Sequence, residues 1–164
     1  MNVTIAAMTA ADWPAVRAIY LDGIATGQAT FETDAPDWPA WDASKLSHSR
    51  LVARVGDEVV GWAALSPTST RAVYAGVAEV SVYVASAHRG DGIGKRLLEA
   101  VIVESERNGI WTLQGGTFPE NMASLRLQKA CGFRVLGRRD RVGQHHGVWR
   151  DTILTERRSR VVGL

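Results

Sequence analysis

VAEVSVYVASAHRGDGIGK, from Val77 to Lys95, runs through a strand, a glycine-rich turn and a helix start in direct succession. Val80, Val82 and Val84 alternate with small or aromatic neighbours, the period of a half-buried strand rich in β-branched residues. Beyond the turn Arg89-Gly90-Asp91-Gly92-Ile93-Gly94, the apolar Leu97, Leu98, Val101 and Ile102 recur at helical spacing. Glycines fold the backbone tightly and turn several N–H groups toward one point, and the helix start adds partial positive charge. With Arg89 beside it, the turn reads as a cradle for phosphate. Spacing excludes two nucleotide sites. A dinucleotide fingerprint needs G-x-G-x-x-G, and this turn is G-x-G-x-G; a Walker loop needs glycine where Arg89 stands and Ser or Thr where Arg96 follows Lys95.

Around this stretch the chain alternates strand and helix patterns without repeats or a linker. Its 164 residues predict one domain over 1–164, large enough to bury a real core. Val3 to Ala7 reads as a strand, and Thr9 with Asp12 as the start of a helix striped by Trp13, Val16, Ile19 and Tyr20. A turn-rich passage from Gly27 to Pro39 precedes a short helix over Trp41 to Ser47. Leu51 to Val55 and Val59 to Leu65 form a hairpin around Gly56-Asp57. After the central strand and helix, Asn108-Gly109 stops the helix, and Ile110 to Gln114 is a strand. A helix then ends at Cys131-Gly132. Strands over Phe133 to Gly137 and Val148 to Leu154 flank a loop carrying Gly143, His145, His146 and Gly147.

Composition bounds the function. A net charge of +2 gives no nucleic-acid surface, and the tail Arg157-Arg158-Ser159-Arg160 reads as solvated. Apolar runs are too short to span a membrane, and the N-terminus lacks a basic-then-apolar signal pattern. One cysteine, Cys131, excludes an internal disulfide and fits a reducing, cytoplasmic setting. Metal ligands are scarce, so no metal is expected.

A second stretch with chemistry is Asn121-Met-Ala-Ser124-Leu-Arg-Leu127-Gln128-Lys-Ala-Cys-Gly132-Phe133. Asn121 and Ser124 lie three apart near a helix start, where they can cap it or meet a ligand from one face. With the R-G-x-G-x-G turn and the order of elements, the chain resembles the GNAT superfamily of N-acetyltransferases over nearly its whole length. The resemblance implies the α/β GNAT fold, a mixed, mostly antiparallel central sheet flanked by helices. It implies acetyl-CoA as co-substrate. The pyrophosphate would lie on Arg89, Gly90, Asp91, Gly92, Ile93, Gly94 and Lys95, and the pantetheine arm against the backbone of Val82, Tyr83 and Val84. Asn121 and Ser124 match the family residues that contact that arm. Gln128 departs from the pattern: the family often has a tyrosine there, the acid for the departing thiolate, and an amide cannot serve as one.

One branch fits best. Arg71-Ala-Val-Tyr74, Glu79-Val-Ser-Val-Tyr-Val84, Val142 to Asp151 and Ala29 to Pro36 resemble segments of phosphinothricin and methionine sulfoximine N-acetyltransferases. Their implied substrate is a small amino-acid-like amine. An attacking amine must be neutral, yet amines of this kind are mostly protonated at pH 7, so a general base is needed. Glu79 matches the residue proposed for it. His146 matches a late-loop histidine that assists, with His145 beside it as rival. Arg71 would pair with a substrate carboxylate or phosphinate, while Phe31, Trp38 and Tyr74 would wall the amine pocket. Trp149 is expected in the core, Cys131 as a core or capping residue rather than a nucleophile, and the molecule as a homodimer. A peptide or aminoglycoside acetyltransferase and a non-catalytic CoA-binding domain are the alternatives.

Overall fold

The computed structural model describes residues 1–164. Seven strands, β1 (Val3–Ala7), β2 (Leu51–Val55), β3 (Glu58–Pro67), β4 (Val77–Val84), β5 (Thr112–Thr117), β6 (Arg134–His145) and β7 (Val148–Arg158), form one sheet in the order β1-β2-β3-β4-β5-β7-β6. Every pairing is antiparallel except β4 with β5. Four helices, α1 (Trp13–Ala25), α2 (Trp38–Ser44), α3 (Ile93–Arg107) and α4 (Met122–Ala130), complete the mixed α/β fold that the resemblance implied.

Both faces of the sheet are covered. Leu97, Leu98, Val101 and Ile102 of α3 pack on Ala63, Leu65, Ala78 and Leu113 on one face. Trp13, Val16 and Ile19 of α1 and Trp41 of α2 pack on Val52, Trp62 and Ala64 on the other. Strand β3 is therefore buried from Val60 to Leu65. A bulge opposite Ala53 and Arg54 inserts Val60 into β3 and resets which face each side chain takes. Downstream the period of two is regular: Trp62, Ala64 and Ser66 stand opposite Tyr83, Ser81 and Glu79 on the α1–α2 face.

Several expected boundaries shift. Helix α2 begins at Trp38, not Trp41. Asp37 caps it by accepting from the Ala40 N–H at 3.0 Å, and Pro39 in the first turn has no N–H to waste. Strand β5 runs on through Gly115 and Gly116, which pair with Thr155 and Leu154 despite poor strand propensity. The expected late loop is instead a long hairpin, closed by His146 and Gly147 at φ 49° and 78°, the left-handed pair of a tight two-residue turn. Arg138, Arg139, Asp140 and Arg141 hide this strand from pattern reading, because β6 is an edge strand and carries charge. Trp149 is 59% exposed on this hairpin, not in the core. The basic tail is tied down: Arg158 donates to the carbonyls of Trp111 and Val162, and buried Ser159 donates to Glu106.

Candidate active site

Strand β4 leaves its neighbour partway along its length. It pairs with β5 only at Val77, Ala78 and Glu79, opposite Thr112, Leu113 and Gln114. From Val80 to Val84 its β5-facing edge has no partner strand, while the other edge stays paired to β3 as far as Gly61. Strand β5 is drawn away by its ladder with β7. The fork opens into a cavity of about 1480 Å³ lined by Glu79, Val82, Tyr83, Val84, Phe31, Asn121 and Ser124. Unpaired backbone groups at such an edge need hydrogen-bond partners, and an extended amide-bearing chain supplies them.

The turn at the far end of β4 supplies the rest of the cradle. Gly90 and Gly92 have φ of 86° and 79°, and a Cβ at either would meet open space. Their need for glycine is conformational, and the space above them is free for a ligand. The first backbone bond of α3 runs from the Arg96 N–H to the Gly92 carbonyl, so the N–H groups of Ile93, Gly94 and Lys95 have no helical acceptor. Arg89, Gly90, Gly92, Ile93, Gly94 and Lys95 line the cavity. Asp91 does not; its carboxylate lies 3.6 Å from His88 Nδ1. The residues fit a pyrophosphate by charge, backbone donors and room.

Helix α4 closes the opposite wall. Asn121 is its N-cap, accepting from the Ser124 N–H at 3.2 Å, and its amide donates to the Gln28 carbonyl at 3.2 Å. Gln128 is buried and spoken for: Nε2 donates to Thr117 Oγ1 at 2.8 Å and Ser124 Oγ at 3.0 Å, and Oε1 accepts from Thr155 Oγ1 at 2.5 Å. Where the family resemblance leads one to expect a phenol, this chain has an amide that ties α4 to β5 and β7. Cys131 ends α4 against the core, and burial raises its thiol pKa, which disfavours the nucleophilic thiolate.

Another wall of the cavity is formed by the loop between α1 and α2. Phe31 packs edge-on to Phe118 at 4.8 Å, and a Cβ at Gly143 would lie 2.9 Å from its ring. Arg150, unremarked in the sequence, holds this loop. Its guanidinium donates to the Gly27 carbonyl at 2.5 Å and to Gln28 Oε1 at 2.7 Å, and sits 3.5 Å from the centroid of the Phe118 ring. It also lies 3.2 Å from His145 Nδ1. Because a guanidinium only donates, Nδ1 accepts and His145 is neutral. Burial, then the charges of His146 and Arg150, hold its pKa below the usual imidazole value.

Not every expected residue reaches the cavity. Glu79 does, as an exposed side chain at the fork. His146 is at the hairpin tip, exposed and outside the lining. Arg71 and Tyr74 lie on a helical turn before β4 and stack on each other, guanidinium to ring at 5.3 Å, also outside it. Trp38 packs with Trp13 and Trp41 rather than walling the pocket. Lys45, which no sequence signal marks, enters instead. Its ammonium donates to Ser66 Oγ at 3.0 Å. Burial lowers its pKa, while the carboxylates of Glu79 and Glu32 pull it back up.

Comparison with known proteins agrees with this geometry. The model of the acetyltransferase (GNAT) family matches residues 12–133. An L-methionine sulfoximine/L-methionine sulfone acetyltransferase of Pseudomonas paraeruginosa is 32% identical, the match covering 92% of this chain and 91% of that protein. A phosphinothricin N-acetyltransferase of Alcaligenes faecalis is 35% identical over 89% of this chain and 77% of its own. Among solved structures, a GNAT superfamily phosphinothricin acetyltransferase from Sinorhizobium meliloti in complex with AcCoA superposes with a TM-score of 0.87 at 29% identity, covering 96% and 89% of the two chains. The family match over most of the chain and the similarity to these enzymes show that the chain belongs to the GNAT family of acetyltransferases.

Proposed function

We propose that this protein transfers the acetyl group of acetyl-CoA directly to the α-amine of a small amino acid of the methionine sulfoximine or phosphinothricin type. The observation that carries the reading is the fork in β4: Glu79 stands where the strands part, and the unpaired edge runs from there to the glycine turn. In this reading the turn and Arg89 take the pyrophosphate, and Val82 to Val84 pair with the pantetheine amides. The thioester then lies near Glu79. Its carboxylate takes the proton of the incoming ammonium, directly or through water, and a backbone N–H of the open edge stabilises the oxyanion as the amine adds. Collapse of that intermediate breaks the C–S bond, and the nitrogen's second proton passes through water to the departing CoA thiolate. The names of the similar enzymes support the amine class. His146 is proposed only as an assisting group that must move in from the hairpin tip. Arg71 and Tyr74 are proposed as contacts, from beyond the lining, for the phosphinate or sulfoximine end of the substrate rather than for its α-carboxylate.

Thiol release from acetyl-CoA, measured against L-methionine sulfoximine, phosphinothricin, a peptide amine and an aminoglycoside, tests this. The amino acids should be preferred by kcat/KM, and a preference for the peptide or sugar amine overturns it. Glu79→Gln should lower kcat about 100-fold while the Kd for CoA stays within about twofold, since the carboxylate does not touch the pyrophosphate turn. An unchanged pH profile of kcat in that variant removes Glu79 from the base role. We also propose a homodimer, supported by the exposed Val135, Val148 and Trp149 of the hairpin, and a cytoplasmic setting, supported by the lone cysteine.

A further inference from the structure

We infer that Lys45, beside Glu79 on the cavity wall, is the group that receives the α-carboxylate of the substrate and so selects amino acids over other amines. It rests on the amino-acid reading above and names the residue that enforces it. Lys45 follows α2, and its Nζ stands over the Trp41 ring, 5.9 Å from the centroid. Its ammonium is fixed by Ser66 Oγ at 3.0 Å. Ser66 is the cross-strand partner of Glu79 on the same face of the sheet, and directly opposed residues have Cβ atoms about 4.5–5.5 Å apart. One hydrogen bond therefore holds the cation next to the acid, and both line one cavity.

Despite this proximity, Lys45, Glu79 and Glu32 take part in no ion pair. An ammonium donates three hydrogen bonds, and Ser66 uses one. A half-buried cation without an anionic partner is costly to hold there. The direction of the Lys45 shift, downward through burial, agrees with that cost. An α-amino acid carries an amine and a carboxylate on one carbon, which is the complement of a neighbouring carboxylate and ammonium. Other cations are worse placed. Arg71 stacks on Tyr74 outside the cavity, Arg89 and Lys95 belong to the glycine turn, and Arg139 enters from the exposed edge strand without a fixing hydrogen bond.

Steady-state kinetics with L-methionine sulfoximine and its α-carboxamide, in wild type, Lys45→Met, Lys45→Arg, Arg71→Met and Arg139→Met, tests the assignment. Methionine keeps an unbranched apolar stem there, so Tm should stay near that of wild type. Wild type should prefer the carboxylate over the amide. Lys45→Met should raise KM for the carboxylate about 10- to 100-fold, the worth of one hydrogen bond to a charged group, with kcat within a few-fold, and should erase the preference. Lys45→Arg should restore part of it, and Arg71→Met and Arg139→Met should keep it. If wild type accepts the carboxylate but Lys45→Met still prefers it to the amide, the assignment of Lys45 fails and the amino-acid reading stands. If wild type acetylates neither compound, yet turns over a peptide or sugar amine, both fail.

Discussion

Gln128 illustrates how one residue changes role when its neighbours are known. In the sequence it is a missing phenol; in the structure it joins three elements through Thr117, Ser124 and Thr155. Gln128→Leu should destabilise the protein by about 2 kcal/mol, because buried hydroxyls lose their partner. For a chain of this size, that is a fall of about 4–8 °C in Tm by calorimetry. Gly92 is the opposite case, legible from its position in the turn. No atom crowds a Cβ there, so the cost of Gly92→Ala lies in forcing a side chain to φ 79°. The turn should relax, and isothermal titration should find CoA binding about tenfold weaker with an unaltered Tm within about 5 °C. Normal affinity in that variant would falsify the pyrophosphate cradle.

Among elements, the β6–β7 hairpin is the least legible in the sequence. The part of β6 beyond Gly137 has no strand signature because it carries an edge strand's charges, which break the alternation that marks a strand. Once the hairpin folds back, Arg150 reaches the loop between α1 and α2, far away in sequence. Arg150→Ala should free that loop: hydrogen exchange at residues 27–36 should accelerate, and KM for the amine should rise more than kcat falls. His145 makes this contact sensitive to pH. Its folded pKa lies below the unfolded value of about 6.5, so the unfolded chain binds the proton more readily. Its contribution to stability is therefore complete above about pH 6.5 and is lost as pH falls from there toward the folded pKa. Thermal melts across that window should show a downward limb that His145→Asn flattens.

For the whole molecule, the exposed apolar side chains at the two ends of the hairpin are the feature that a single chain leaves open. Val135, Val148 and Trp149 are each more than half exposed, at 64%, 61% and 59%. Sedimentation equilibrium should find a dimer at micromolar concentrations, and Trp149→Glu should shift it to monomer; a monomeric wild type overturns the dimer. The order of strands and helices was readable because it depends on local periodicity, on glycine turns and on caps, all of which act between near neighbours. So was the glycine turn proposed as the phosphate cradle, which occupies one continuous stretch from Arg89 to Lys95. The other side of the cavity was readable only in part, through Phe31 and Glu79. Lys45, Ser66 and Glu79 meet because β3 and β4 pair in one register and α2 packs above them. Arg71, close to Glu79 in the chain, is turned away on its own short helix. Sequence determined the fold and the glycine turn proposed for the co-substrate, whereas tertiary packing alone decided which charges line the cavity together, since those charges come from elements that only the closed sheet brings together.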